Sequence, residues 1–273
     1  MDSTELERIA AQIGDEILAR MPGNAAQRKR LYSLKSQSEN TGPILSEGEP
    51  PAGFDRAIAA VIDHTLLNPG ATRADIVQVC REARQYGFAS VCVNPYWVGL
   101  AAAELSGSAV AVSTVCGFPF GAGTTEAKRT EAAAALRTGA QEIDMVLNVG
   151  ALRGGDYDSV RLDIRAVAEV CHNAGALLKV ILETALLDDE QKTIACKLAM
   201  MAGADFVKTS TGFGPAGATV HDVSLMRSVV GPEVGVKAAG GIRTLDDLKK
   251  MAAAGANRIG TSASVRIIEA TAG

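Results

Sequence analysis

Eight short apolar runs, separated by segments of helical periodicity, constrain the fold of this 273-residue chain more than any other feature. The runs cover residues 60–65, 89–93, 110–116, 141–147, 177–183, 204–209, 234–238 and 256–260. They are rich in Val, Ile, Leu and Ala and do not alternate cleanly between apolar and polar residues, which is typical of strands covered on both faces. Helices are predicted near 72–87, 96–106, 124–139, 155–174, 188–202, 220–230 and 244–254, with another after 261.

This alternation of strands and helices predicts a parallel sheet. Eight units in roughly 220 residues fit a (β/α)8 barrel, the TIM barrel. An open doubly wound sheet is the alternative, but the G-x-G-x-x-G motif that often follows its first strand is missing from the corresponding position. We therefore expect an α/β protein with a (β/α)8 TIM barrel over residues 53–273.

Residues 1–52 differ from the rest of the chain and predict an N-terminal extension. Apolar residues recur at helical spacing between positions 4 and 21, which indicates an amphipathic helix. Residues 33–53 are rich in Ser, Gly, Pro, Glu and Asn and predict a flexible linker. The helix could dock on the barrel or on a partner, and the sequence leaves both open.

Composition excludes several classes of partner. The net charge is −4 without a basic stripe, so nucleic acid is not expected to bind. No apolar run reaches the length of a membrane span, and the acidic N-terminus lacks the pattern of a signal peptide. The five cysteines form no C-x-x-C pair and the three histidines are scattered. We expect a cytoplasmic protein with reduced thiols, no metal and no membrane or nucleic-acid partner.

Two lysines carry the strongest chemical signal. Lys208 and Lys237 each end an apolar run just before a glycine-rich turn. Burial at the end of a strand opposes the charge of a lysine, and two such lysines on neighbouring strands would lower each other's pKa further. A neutral amine at neutral pH is what Schiff-base chemistry requires.

A carboxylate is predicted to join these lysines. Period-two alternation puts Glu142, Asp144 and Asn148 on one face of the fourth strand, so Asp144 is expected to point into the barrel near a lysine. A single inward ion pair could be purely structural. Two lysines and one aspartate that converge favour catalysis. Gly235 shares a face with Lys237 and would leave space in the layer below.

Other polar residues at the strand ends have more ordinary interpretations. We interpret His64 as a structural histidine and Cys92 as a packing residue rather than a nucleophile. Lys179 and Glu183 on the fifth strand could form an interior ion pair, and the sequence leaves a functional role for them open.

Glycine-rich turns after the last strands predict an anion site. Gly240 and Gly241 follow the seventh strand, and Gly260-Thr-Ser262 follows the eighth. Backbone N–H groups in such turns bind phosphate, and these loops are the usual phosphate position in a TIM barrel. Gly212, which follows Lys208, could contribute. The alternative is that the glycines only allow tight turns.

Five separated motifs, in order, resemble a known family. They are Ile62-Asp-His-Thr-Leu-Leu67, Val115-Cys-Gly-Phe-Pro119, Glu142-Ile-Asp-Met-Val-Leu-Asn148, Lys208-Thr-Ser-Thr-Gly-Phe213 and Lys237-Ala-Ala-Gly-Gly-Ile-Arg243. Over about residues 55–265 the chain resembles deoxyribose-phosphate aldolases, class I aldolases of the Schiff-base type. The resemblance implies reversible cleavage of 2-deoxy-D-ribose 5-phosphate to D-glyceraldehyde 3-phosphate and acetaldehyde, in deoxyribonucleotide catabolism, without a cofactor.

The resemblance also implies residue roles. Lys208 matches the Schiff-base lysine, Lys237 the second lysine that keeps it neutral, and Asp144 the acid/base carboxylate that acts through an ordered water. The residues that match phosphate-binding positions are Gly212, Gly240, Gly241 and Ser262, and those that match pocket-lining positions are Asp63, Thr65 and Cys92. Ala263 departs from the family, which often has a second serine there. The expected partners are small phosphosugar and aldehyde substrates, and we expect a homo-oligomer, with a dimer favoured.

Two other functions remain open. A phosphosugar isomerase on the same barrel would use Glu183 or Asp144 as its base. A non-catalytic barrel would bind a phosphorylated ligand without turnover. Neither requires the pair of lysines.

Overall fold

The computed structural model describes residues 53–272, which form a closed barrel of eight parallel strands. The strands are β1 (Ile62–Leu66), β2 (Ser90–Val93), β3 (Ala111–Cys116), β4 (Glu142–Val146), β5 (Leu177–Ile181), β6 (Phe206–Lys208), β7 (Gly235–Ala239) and β8 (Arg258–Thr261). Each strand pairs with the next, and β8 pairs with β1. The predicted TIM barrel is confirmed, and the open sheet is wrong. The predicted N-terminal helix and linker lie outside the described residues, and the domain boundary stays a prediction.

Helices surround the barrel and follow most strands. They are α1 (Arg56–Ala59), α2 (Arg73–Tyr86), α3 (Val98–Glu104), α4 (Thr125–Arg137), α5 (Val149–Arg153), α6 (Tyr157–Asn173), α7 (Asp189–Met201), α8 (Val220–Val230), α9 (Leu245–Ala253) and α10 (Ser264–Glu269). The short helices α1 and α5 were not expected, because four or five residues show no helical period. Within residues 53–272, none of these helices is both long enough and apolar enough to cross a membrane.

The helices begin where the sequence supplies capping side chains. Thr72 and Asp75 form a capping box at the start of α2, and Thr244 and Asp247 form another at α9. Each box satisfies backbone N–H groups that have no partner within the helix. The capped N-termini of these helices fix the ends of the βα loops. These loops lie at the carboxyl ends of the strands, where TIM barrels have their active sites.

The barrel has two chemically different layers. Outward side chains such as Ile143, Leu178 and Val236 are fully buried against the helices and form the apolar core. The interior is instead filled in part by charged side chains from β1, β4, β5, β6, β7 and β8. TIM barrels usually fill this space with branched apolar residues. The charged interior therefore indicates that a candidate active site lies in the middle of the barrel.

Gly235 on β7 makes room for one large interior ring. It pairs with Phe206 on β6, and a Cβ added to Gly235 would lie 2.1 Å from that ring. The space that the sequence predicted below Lys237 is therefore filled by Phe206, which packs beneath the lysines.

We expect Gly235→Ala to lower the free energy of unfolding by about 1–3 kcal/mol, because the ring must leave its position in a packed core. Gly99→Ala is the matched control, since a Cβ at Gly99 in α3 meets nothing within 4 Å. The control should keep or slightly raise stability, because alanine favours helix. Urea unfolding of both variants measures the difference. A midpoint for Gly235→Ala at or above that of the wild type would contradict the packing described.

Candidate active site

Lys208 and Lys237 lie side by side inside the barrel, at paired positions on β6 and β7. Both side chains are almost fully buried. Asp144 on β4 points at them, and its Oδ2 atom accepts hydrogen bonds of 2.7 Å from each Nζ atom. The three residues that the sequence singled out therefore meet at one carboxylate oxygen.

Lys179 on β5 holds the other oxygen of Asp144. Its Nζ atom lies 2.8 Å from Asp144 Oδ1 and 2.6 Å from Glu142 Oε2. The predicted ion pair of Lys179 with Glu183 is therefore wrong. Strand β5 ends at Ile181, and Glu183 adopts a left-handed φ of 55°, so the period-two alternation that would put Glu183 on the same face as Lys179 stops before Glu183. Its carboxylate instead accepts hydrogen bonds from the Thr211 hydroxyl and backbone N–H.

Asp63 supports Lys237 from below rather than facing the mouth of the barrel. It is fully buried, and its Oδ2 atom lies 2.5 Å from Lys237 Nζ. Its Oδ1 atom accepts from the Ser90 hydroxyl at 2.7 Å and from the Arg258 guanidinium. Arg258 on β8 also bonds Glu142 at 2.8 Å. The residue predicted to line a pocket is thus part of the ion network beneath the lysines.

Thr65 and Cys92, the other two residues that matched pocket-lining positions, lie near the carboxyl ends of β1 and β2. Thr65 is half-buried and donates to the backbone oxygen of Asp63 at 2.8 Å. Cys92 is fully buried and packs with Leu67 and Val115, which agrees with its interpretation as a packing residue. Burial raises the pKa of the Cys92 thiol, so it is not poised as a nucleophile.

The two lysines have opposite electrostatic environments. Burial lowers the pKa of Lys208; Asp144 opposes this effect and the charge of Lys237 adds to it, and the net shift is downward. Burial acts on Lys237 too, but Asp144 and Asp63 outweigh it and raise the pKa of Lys237 well above its ordinary value. Lys208 is thus the more easily deprotonated amine, and Lys237 is an ammonium.

Asp144 is ionised in this arrangement. Burial alone would raise its pKa, but the positive charges of Lys179 and Lys237, and of Lys208 while it is protonated, hold the pKa of the carboxyl well below its usual range. A carboxylate 2.7 Å from a lysine that can lose its proton is placed to accept and return protons at that nitrogen.

Three adjacent loops at the carboxyl ends of β6, β7 and β8 carry the residues predicted to hold phosphate. Gly212, Gly240 and Gly241 have φ values of 86°, 87° and 80°, which favour glycine. The Gly240 oxygen accepts from the Ala218 N–H at 3.0 Å, so the first two loops touch. Cβ positions at Gly212 and Gly241 face open space, and Ser262 is exposed. The loops leave a space in which their backbone N–H groups could bind an anion.

The remaining polar signals of the sequence lie outside this site. His64 Nδ1 bonds the Ser264 hydroxyl at 2.9 Å and Nε2 bonds Glu82 at 2.6 Å, which confirms a structural histidine between β1 and its helices. All five cysteines are buried and free.

Within residues 53–272, one group of potential metal ligands appears that the sequence did not reveal. Asp189, His221 and Asp222 come together where α7 meets α8, with ligand atoms within 4.8 Å of one another. Lys192 lies 3.1 Å from Asp189 and 2.7 Å from Asp222. Its ammonium already compensates these carboxylates, so the group is explained as an ion-pair cluster on the outer helices.

Comparison with known proteins places this barrel among the aldolases, a class of carbon–carbon lyases. The model of the DeoC/LacD family aldolase matches residues 57–265. A relative from Thermococcus gammatolerans named deoxyribose-phosphate aldolase is 61% identical over 214 residues, which cover 78% of this chain and 95% of the relative. The chain therefore belongs to the DeoC/LacD family of aldolases.

Solved structures agree with this family. A putative deoxyribose-phosphate aldolase from Coccidioides immitis superposes with a TM-score of 0.77 at 42% identity, covering 92% of this chain and 99% of that one. A tetrameric deoxyribose phosphate aldolase from Aeropyrum pernix superposes with a TM-score of 0.75 at 35% identity, covering 79% of this chain and 91% of that one.

Proposed function

We propose that this aldolase reversibly cleaves 2-deoxy-D-ribose 5-phosphate to D-glyceraldehyde 3-phosphate and acetaldehyde through a Schiff base on Lys208. The observation that carries the proposal is the contact of Lys208 and Lys237 with one oxygen of Asp144 inside the barrel. The names of the relatives support the choice of substrate. A place in deoxyribonucleotide catabolism follows from that substrate.

The first step is attack of the neutral Lys208 amine on C1 of the open-chain sugar. The carbonyl oxygen takes a proton to give a carbinolamine, and loss of water gives the iminium. Asp144 accepts the proton that the lysine nitrogen gives up and returns it to the departing hydroxyl, directly or through a water. The charge of Lys237, 2.7 Å from Asp144, keeps Lys208 deprotonated enough to attack.

Cleavage then uses the iminium as an electron sink. The C3 hydroxyl loses its proton, the C2–C3 bond breaks, and its electron pair forms an enamine on Lys208. The three-carbon fragment leaves as glyceraldehyde 3-phosphate. Protonation of the enamine at C2 and addition of water to the new iminium release acetaldehyde and restore the lysine. The proton that leaves the C3 hydroxyl is matched by the one gained at C2 of the enamine, and the proton taken up when the first iminium forms is released when the second is hydrolysed, so the cycle needs no oxidant or reductant.

The glycine loops would hold the substrate phosphate. Gly212, Gly240, Gly241 and Ser262 lie on the loops that follow β6, β7 and β8, so a bound phosphate would sit away from the reacting carbon and fix its orientation above Lys208. The phosphate charge suits the backbone N–H groups that such loops present.

We also propose a homo-oligomer, with a dimer as the simplest state. The support is the Aeropyrum pernix relative, whose structure is described as tetrameric. Light scattering of the full chain would measure the mass, and a monomer at micromolar concentration would overturn this part of the proposal.

The reaction itself is tested by incubating the full chain with 2-deoxyribose 5-phosphate. Release of acetaldehyde and glyceraldehyde 3-phosphate in equal amounts is expected, and the reverse reaction should consume both. Conversion to an isomeric phosphosugar without acetaldehyde would favour the isomerase, and binding without turnover would favour the non-catalytic barrel. Either result would overturn the proposal.

We expect Gly241→Ala to raise KM for 2-deoxyribose 5-phosphate by about tenfold or more, equivalent to about 1.4 kcal/mol. Its Cβ would project into the open space assigned to the phosphate. Gly175→Ala is the matched control, because Gly175 has a similar φ of 71° and also faces open space, but lies between α6 and β5 at the opposite end of the barrel. The control carries the same backbone strain without the change in KM.

Steady-state kinetics on phosphorylated and unphosphorylated deoxyribose distinguishes loss of phosphate binding from a general effect on the active site. A phosphate site requires that Gly241→Ala affect the phosphorylated substrate far more than the unphosphorylated one. Equal effects on both, or an unchanged KM, would contradict it.

A further inference from the structure

The ion network formed by the site residues and the charged side chains beneath them contains one more positive group than negative groups. Its members are Asp63, Glu142, Asp144, Lys179, Lys208, Lys237 and Arg258, each no more than 5% exposed. Full ionisation of the three carboxylates and four cations leaves one uncompensated positive charge. Such a charge is costly in a dry interior, and the loss of one proton from one lysine removes it.

The contacts determine which lysine loses that proton. Lys237 contacts two carboxylates, Asp63 at 2.5 Å and Asp144 at 2.7 Å. Lys179 also contacts two, Glu142 at 2.6 Å and Asp144 at 2.8 Å. In the described part of the chain, Lys208 makes one such contact, to Asp144.

Arg258 bridges Asp63 and Glu142, and a guanidinium keeps its proton in proteins. Lys208 is therefore the group whose deprotonation sacrifices the fewest ion pairs.

We propose that Lys179 is a positioning residue for the Schiff-base lysine. Its ammonium group neutralises part of the negative charge of Glu142 and Asp144. No carboxylate charge then remains for an ammonium group on Lys208 to neutralise, so Lys208 can lose its proton. Without Lys179, three cations would balance three carboxylates, and Lys208 would keep its proton. Lys179 also fixes Asp144 through Oδ1, so that Oδ2 faces both Lys208 and Lys237. This role rests on the function proposed above, since it concerns the proton of the nucleophile.

The titratable and charged groups around Lys208 come from most strands of the barrel. They are Asp63 (β1), Cys92 (β2), Glu142 and Asp144 (β4), Lys179 (β5), Lys237 (β7) and Arg258 (β8). The side chains from β3 are the uncharged Ser113 and Val115, and Glu183 beyond β5 is bonded to Thr211. Lys179 and Glu142 are two charges of this network that can be removed without deleting a contact of Lys208.

The test is reductive trapping of acetaldehyde on Lys208 as a function of pH. Each variant is incubated with acetaldehyde and cyanoborohydride, and mass spectrometry measures the rate of modification at Lys208. The rate rises with pH as the amine loses its proton. We expect Lys179→Met to move the midpoint of this rise to higher pH by about one to two units, because a nearby positive charge is lost. Lys179→Arg keeps the charge and should keep the midpoint.

A charge-restoring pair makes the result specific. Glu142→Gln removes a negative charge and should move the midpoint to lower pH, and the double variant Lys179→Met/Glu142→Gln should return it close to the wild-type value. Mere loss of packing would slow trapping in both single variants and more so in the double variant, without shifts of opposite sign. An unchanged midpoint in Lys179→Met, or no restoration in the double variant, would overturn the role of Lys179.

Two other outcomes are also decisive. If Lys179→Met does not fold, the double variant Lys179→Met/Glu142→Gln is compared with Glu142→Gln alone, and its midpoint must be the higher of the two. If the wild-type protein is not modified at Lys208 at any pH, the proposed Schiff-base function fails together with this role. If Lys208 is modified but neither Lys179→Met nor Glu142→Gln changes the pH midpoint, the role of Lys179 alone is overturned.

Discussion

Lys208→Met is expected to reduce turnover of 2-deoxyribose 5-phosphate by on the order of 10⁴-fold or more, because the covalent intermediate cannot form. Methionine has a similar length and fills the same space without an amine. The fold should survive, since the change removes a polar group whose burial opposes folding. Acetaldehyde release at saturating substrate measures turnover, and thermal unfolding measures stability.

Lys192→Met provides the matched control for this substitution. Lys192 is also a buried, paired lysine, but it joins α7 to α8 through Asp222 on the outside of the barrel. We expect this variant to lose stability and keep its turnover, the reverse of Lys208→Met. Turnover of Lys208→Met within about tenfold of the wild type, a barrier change of only about 1.4 kcal/mol, would contradict the assignment of the nucleophile.

Asp144→Asn is expected to reduce turnover by about 10²–10⁴-fold, the range for loss of a general acid/base. The amide keeps the size of the carboxylate but cannot accept the proton that Lys208 releases, and it leaves Lys179 and Lys237 without their shared partner. The loss should appear in kcat, because the glycine loops proposed to hold the phosphate are not altered.

Asp222→Asn is the control for Asp144→Asn, since it removes the buried carboxylate of the outer pair with Lys192. Its kcat should stay near that of the wild type even if the protein unfolds at a lower temperature. If Asp144→Asn retained wild-type kcat, the proton-transfer role of Asp144 would be wrong, and the contacts of this residue would be structural alone.

Much of the fold could be predicted because the sequence repeats one simple pattern. Each strand of the barrel is buried on both faces, so it is rich in apolar residues along most of its length, and helices between the strands carry their own caps. The placement of Asp144 followed from period-two alternation along β4, and the structure keeps it: Glu142 and Asp144 join the interior ion network, whereas Ile143 and Met145 pack in the apolar core.

The prediction from period-two alternation failed where strand β5 ended. The sequence places Glu183 with Lys179 in one apolar run, as if β5 continued, but the left-handed turn at Glu183 redirects its carboxylate to Thr211. Local sequence does not give the point at which a barrel strand stops, because that point is set by the loops that pack around it.

The ion network was harder to predict for a second reason. Arg258 and Asp63 are 195 residues apart in the chain, and only closure of β8 onto β1 brings them together. A charged residue inside an apolar run, such as Arg258, was the available signal. Its partners could not be assigned before the register between strands was known.

We expect Lys208, and no other lysine, to form the covalent intermediate. Reduction of the full chain with borohydride in the presence of acetaldehyde, followed by peptide mass spectrometry, measures this directly. We expect one added ethyl group per chain, located on Lys208 and absent from Lys208→Met protein, with Lys179 and Lys237 unmodified. An unmodified wild-type protein, or modification centred on Lys237, would contradict the claim.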